Sequence, residues 1–328
     1  MGDVESAPLV QAATERLRTM GLIGDGAPQV SVRDNIDLIR STVWLLDVSD
    51  ADGHSTQIYF KRIKPRTESR KFDVVLDELR DTLTVAEPLE GRLAERLDPG
   101  EIQIGRTVVA DPETLEQVTL AVPGRPLGRL WRRALLPANR EQTREAMRLV
   151  GNACQVIEDV GRFDGPLPER LVGETVVERR IARVAGGLDR GAREKLTALM
   201  TELQAAAMDA PDPVYRAHGD LNASNVLIRE GGVSLIDFAW LPRLRLTDLA
   251  HFAYRLEYES GSPSDFAVSL AGDLVDGYGQ GDVTADPAWR FLRYSKLLRV
   301  MSDGGLRHPL GRLRASRARA EIEGALLG

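Results

Sequence analysis

One histidine, two aspartates and two asparagines stand in two short stretches of this chain: "HGDLNASNVLI", His218 to Ile228, and "IDFA", Ile236 to Ala239. Each borders an apolar run, and core packing alone does not call for them. Asp220 sits in a tight polar loop, where a carboxylate can orient a hydroxyl and accept its proton. Asn225 follows where the chain enters "VLI", and Asp237 ends the returning run "VSLI". If these runs pair through Gly231-Gly232, Asn225 and Asp237 come to one end of a hairpin. An amide oxygen and a carboxylate there suit a hard cation such as Mg²⁺. These groups are what moving the terminal phosphoryl group of a nucleotide requires, because that reaction runs on positioning and charge stabilisation. The bland alternative is a hairpin whose Asp and Asn only cap turns.

The elements that must hold these residues can be read from periodicity. Val10, Ala13, Leu17 and Met20 recur at helical spacing, which predicts a short amphipathic helix ending near Gly21. "STVWLLDV" and "TQIYFKRI" are β-rich runs around the turn formers "SDADGHS", a hairpin pattern. Residues 72–97 read as helix with a break near Pro88. "IQIGRTVVA" and "EQVTLAV" read as two strands around "DPET". From about residue 125 the pattern turns mostly helical. Met147, Val150, Cys154 and Ile157 form one apolar face, so Cys154 is expected to pack rather than react. A further helix carries Phe291, Tyr294, Leu298 and Met301.

The polar segment resembles the active-site signature of the aminoglycoside phosphotransferase and choline kinase group, relatives of the protein kinases. The shared pattern is HGDxxxxN, a short hairpin, then an apolar residue and Asp. The resemblance implies an α+β, bilobal, protein-kinase-like fold with a small antiparallel-sheet N-lobe, one main helix in it, and a larger helical C-lobe. The expected boundaries are a helical extension over 1–30, a nucleotide-binding N-lobe over 31–124, and a C-lobe with the catalytic hairpin and acceptor site over 125–328. It makes Asp220 the catalytic base and Asn225 and Asp237 the Mg²⁺ ligands. His218 would brace the loop, and Asp248 in "LTDLAHF" would support it from the helical lobe. Lys61, in mid-strand in "QIYFKRI", would clamp the phosphates of ATP, with GTP left open; Lys64 is its rival beside Pro65. Glu90 would pair with Lys61, and Glu87 stands almost as well. The first loop, "LIRSTVWLL", has no glycine, so Ser41 and Thr42 would meet phosphate with hydroxyl and backbone N–H groups. Backbone groups near Ala121 and Val122 would meet the adenine edge.

The implied activity is transfer of the γ-phosphoryl group of ATP to a hydroxyl of a sugar, aminocyclitol, antibiotic or similar metabolite. The alternative is a pseudokinase that senses nucleotide or serves as a scaffold, suggested by the glycine-free loop. The acceptor walls are mixed in charge: Glu257, Glu259 and Asp265 on one side, Arg243 and Arg245 on the other, with Trp240 and Trp131 able to stack on a sugar. A net charge of -6 gives no general affinity for nucleic acid, and no apolar run approaches bilayer length. One cysteine excludes an intrachain disulfide framework, and the N-terminus lacks a basic segment followed by an apolar core. A cytoplasmic protein with a small-molecule partner is expected.

Overall fold

The structure, a computed structural model, describes residues 4, 7–39, 41–64, 72–128, 139–165, 181–182, 189–258, 265–302 and 309–327. Trp131 and Glu259 lie outside these residues. The chain divides into two compact units, Met1–Arg125 with Leu227–Trp240, and Pro126–Val226 with Leu241–Gly328.

The first unit is built on an antiparallel sheet in the order β1-β2-β3-β6-β5, from β1 (Gln29–Asp37), β2 (Ser41–Ser49), β3 (Ser55–Ile63), β5 (Thr107–Asp111) and β6 (Glu116–Leu120). Strand alternation sends Trp44, Leu46 and Val48 of β2 and Ile58 and Phe60 of β3 to one face, where Trp44 stands opposite Phe60. Helix α1 (Pro8–Thr19) covers that face. Its Leu9, Val10, Ala13 and Leu17 join one buried cluster with those strand residues, Val108 and Val118. Each large side chain removed from water there contributes about 1.5–3 kcal/mol. The N-terminal helix is therefore a wall of this unit's core.

Three local expectations change. Strand β1 was not foreseen: nearly all of "QVSVRDNID" is exposed, so it carries no buried alternation to read. Helix α2 (Phe72–Arg96) runs unbroken through Pro88. Pro88 and Thr84, whose carbonyl loses its partner, both face water, while Leu83, Ala86, Leu89 and Leu93 keep a continuous buried stripe. The run 102–110 splits between β4 (Ile102–Ile104) and β5, which enter different sheets. Strand β4 pairs in parallel with β10 (Gly232–Leu235), the second strand of the polar hairpin, whose first is β9 (Val226–Arg229). The two-residue β7 (Arg125–Pro126) lies on the far edge of β9. The Gly105 N–H donates to Leu235 O at 2.8 Å and Ser234 Oγ to Pro123 O at 2.8 Å. These bonds group the hairpin, from Leu227 onward, with the first unit.

The second unit is mostly helical: α3 (Arg140–Val160), α4 (Arg190–Met208), α5 (Thr247–Tyr258), α6 (Asp265–Tyr278), α7 (Pro287–Ser302) and α8 (Pro309–Leu327). Its small sheet pairs β8 (Val214–Ala217) with β11 (Leu241–Leu244). Met147, Val150, Cys154 and Ile157 line the buried face of α3. That helix approaches α6 so closely at Gly151 that an added Cβ would overlap the Leu274 carbonyl. Among the described residues no helix is long and apolar enough to cross a membrane.

Candidate active site

In the second unit the loop after β8 carries His218, Gly219 and Asp220. Asp248, in the first turn of α5 and buried, accepts the backbone N–H of His218 at 2.6 Å and of Gly219 at 3.0 Å. The Tyr215 hydroxyl adds a third bond, 3.2 Å to the Asp248 carboxylate. Burial lifts the Tyr215 phenol well above its ordinary range, with the Asp248 charge adding to it, so it stays a neutral donor. Gly219 has φ +82°, a left-handed conformation that glycine adopts without Cβ strain, and this turns the chain so that Asp220 faces outward. His218 is fully buried. The Asn225 amide nitrogen donates to Asp220 O at 2.9 Å and lies 3.4 Å from Asp220 Oδ2. Asn222 Nδ2 also donates to Asp220 O, at 2.8 Å.

In the first unit, a cavity of about 240 Å³ opens beside β3 and is lined by Ser41, Tyr59, Lys61, Glu90, Leu120 and Asp237, among others. Lys61 projects into it as strand alternation requires and forms an ion pair with Asp237. Asp237 has φ +66°, a left-handed backbone that Asp tolerates better than most residues. The expected Lys61–Glu90 pair is replaced by this one. Glu90 instead accepts the Thr107 N–H and, at 3.1 Å, the Trp240 indole N–H, so both of its oxygens are engaged. Burial pushes the Glu90 carboxyl up to about 7, against the lowering effect of those bonds. Glu87, the other candidate, pairs with Arg16 at 2.8 Å. Lys64 pairs with Asp37.

Ser41 is buried at the cavity wall, but Thr42 points the other way. Its hydroxyl donates to Asp37 Oδ1 at 2.7 Å, because neighbours along a strand face opposite sides. Ala121 gives its N–H to Gln57 O at 2.9 Å, so that donor is not open to an adenine edge; its carbonyl and the Val122 backbone are what this stretch can offer. Trp240 is fully buried, stacked on Phe238 at 5.1 Å, which removes it as a sugar platform. Arg245 pairs with Asp286 at 2.8 Å and Glu257 with Arg293 at 2.8 Å.

The donor chemistry fits a hard cation. Taken unit by unit, the Asn225 nitrogen is turned to Asp220, so its amide oxygen stays available as an acceptor in the second unit, and in the first unit Asp237 offers a half-exposed carboxylate. A second concavity, about 520 Å³, lies in the helical unit and includes Glu257, Asp276, Trp289, Arg290 and Arg293. Glu257 follows Asp248 by nine residues, about 180° around α5, so this concavity lies on the opposite side of α5 from Asp248.

Sequence reasoning missed the roles of Trp240 and Thr82. The indole caps Glu90, and Thr82 Oγ1 donates to Ala239 O at 2.9 Å, both fastening the segment after Asp237. No signal short of the fold links α2 to residues 239–240.

The gentamicin–APH(2")-IIa complex is similar to this chain at 14% identity and a TM-score of 0.51, with 98% of this chain and 97% of that one covered. The ADP-bound aminoglycoside phosphotransferase APH(2'')-Ib is similar at 14% identity and a TM-score of 0.50, covering 94% and 95%. A choline/ethanolamine kinase family protein from Mesorhizobium loti is 14% identical, with a TM-score of 0.49 and coverage of 97% and 95%. At such identities the likeness is one of fold. No curated protein sequence matches the chain. The profile of the phosphotransferase enzyme family (APH) matches residues 47–294. That span is well over half of the sequence, and the chain belongs to the phosphotransferase enzyme family.

Proposed function

We propose that this chain is a small-molecule kinase, transferring the γ-phosphoryl group of ATP to a hydroxyl of a sugar, aminocyclitol, antibiotic or similar metabolite. The observation that carries the reading is the pair of loop amides held by Asp248, with Asp220 directed outward from the loop they form. A base presented in this way can meet a bound hydroxyl without rearranging. Asp220 orients the hydroxyl and takes its proton as the new O–P bond forms. Asn225 and Asp237 would hold Mg²⁺, which supplies charge stabilisation to the phosphates when bound. Lys61 brings a cation to the same phosphates, and Ser41 offers a buried hydroxyl at the wall of that cavity. GTP would meet the same phosphate contacts as ATP. The ADP bound to a structure of similar fold agrees with nucleotide use.

One observation favours a second reading. Lys61 is held by Asp237 and not by Glu90, so nucleotide binding must reorganise this pair. A pseudokinase that serves as a scaffold and binds no nucleotide would leave the pair in place.

The test is Asp220→Asn compared with the parent protein. The kinase reading expects nucleotide to raise the melting temperature of both, while transfer to an acceptor falls about 10²–10⁴-fold in the variant, the range for loss of a general base. Near-normal turnover in Asp220→Asn would remove Asp220 from that role.

A further inference from the structure

We propose that Glu158 is a positioning residue for the Asp220 loop, acting through the turn that seats Asp248; the catalytic part of this claim rests on the reading of Asp220 as base. Glu158 lies near the end of α3, far in sequence from the polar motif, and is half-buried on a helix that packs against α5, α6 and β8. One carboxylate oxygen accepts the backbone N–H of Leu246 at 2.5 Å, and the other accepts the Tyr278 hydroxyl at 2.7 Å. Leu246 occupies a strained turn, with φ +64° in a branched apolar residue. Its carbonyl accepts the Ala250 N–H at 2.9 Å, so it is the residue from which α5 starts. Two residues on, Asp248 holds the amides of His218 and Gly219. The connection is continuous: Glu158 grips the Leu246 amide, Leu246 sets the start of α5, Asp248 projects from its first turn, and the Asp220 loop hangs on Asp248.

The left-handed turn needs such a grip. A leucine there costs conformational energy, and a charge-assisted acceptor for its N–H offsets that cost. A carboxylate at a helix start is also favoured by the partial positive charge of the unpaired N–H groups. The groups that face Glu158 are Cys154 from α3 itself, Arg245 from the segment entering α5, Asp248 from the first turn of α5, Tyr278 from α6 and Tyr215 from β8. Burial raises the Glu158 carboxyl to about 7, the Asp248 charge adds to this, and the bonds from Tyr278 and Leu246 and the Arg245 charge oppose it. As pH falls through about 7 Glu158 takes up a proton. One oxygen can then donate to the Tyr278 hydroxyl, and the other keeps the Leu246 N–H without the charge that strengthens that bond.

Hydrogen exchange by mass spectrometry on peptides covering 215–221, compared with peptides from β3, reads the positioning directly and needs no acceptor. Glu158→Ala is expected to speed exchange at 218–219 about tenfold or more, the factor for one lost charge-assisted hydrogen bond, with β3 unchanged. Glu158→Gln, which keeps an acceptor oxygen, should fall between the two. In turnover, kcat should drop with the KM for nucleotide unchanged, and the fall of parent kcat below about pH 7 should be absent from Glu158→Gln. If Glu158→Ala does not fold, Glu158→Gln and Tyr278→Phe carry the same exchange test. Exchange at 218–219 equal to the parent in every folded variant overturns the proposal. A parent protein that transfers no phosphoryl group overturns the kinase reading instead, and the exchange data still decide the positioning claim.

Discussion

Replacing Glu90 by Gln separates the cost of a buried charge from the worth of its hydrogen bonds. Glu90 is 1% exposed and is bonded by the Thr107 amide and the Trp240 indole. Burial moves its ionisation from 4.5 to about 7. In the unfolded chain the carboxyl ionises near its ordinary value, so folded and unfolded states differ in protons bound between the two. A raised pKa contributes stability that is full below about pH 4.5 and is lost as pH rises through about 7. At 1.36 kcal/mol per unit, the loss across that window is about 3 kcal/mol. Glutamine mimics the protonated acid in shape and in having one donor edge, so any constant penalty it brings cancels in a pH series. Urea unfolding followed by tryptophan fluorescence at pH 5, 6, 7 and 8 reads the difference, since Trp44 and Trp240 both lie in the first unit. The stability of the parent relative to Glu90→Gln should decline by about 2–3 kcal/mol across this range and level off above about pH 7. A difference that stays flat from pH 5 to 8 would refute the account of Glu90 as a carboxyl held neutral by burial.

Other expectations follow from the same packing. Leu93→Ala removes a fully buried side chain from the α2 stripe and should cost about 2–5 kcal/mol in urea unfolding. Gly151→Ala would press a methyl group onto the Leu274 carbonyl, and separating α3 from α6 should cost about 1–3 kcal/mol, seen as a lower melting temperature. Burial lifts the Cys154 thiol well above its usual range, so a disulfide reagent should label it slowly in the native protein and at once in denaturant. Lys61→Ala should raise the nucleotide concentration needed for half-maximal thermal stabilisation about tenfold, through loss of one charge-assisted contact.

Much of the scaffold could be read because its residues repeat at the period of the element they form. The β2–β3 hairpin shows alternation on both sides of a turn-rich stretch, and α3 shows its stripe at Met147, Val150, Cys154 and Ile157. What escaped depends on partners distant in sequence. Strand β1 has no buried face, so its pattern is silent, and Gly105 divides 102–110 only because β4 finds β10. Pro88 is harmless where the carbonyl it frees meets water, which depends on which side of α2 faces the core. In the candidate site, residue types and spacing name Asp220, Asn225, Asp237 and Lys61, but a carboxylate's partner is a matter of three-dimensional reach. Glu90 goes to Trp240, 150 positions away, and Lys61 to Asp237, 176 positions away. Glu158 carries no motif at all, since its meaning comes from the backbone turn it holds.

The central claim is phosphoryl transfer to a small-molecule hydroxyl, and mass spectrometry tests it most directly. The protein would be incubated with Mg²⁺ and ATP or GTP beside sugars, aminocyclitols, aminoglycosides, nucleosides and amino alcohols, with Asp220→Asn in parallel. The account expects one class of acceptor to gain a single phosphate with the parent protein and not with the variant. Acceptors unchanged by the parent, while nucleotide still raises its melting temperature, would contradict the kinase reading in favour of a nucleotide-sensing module.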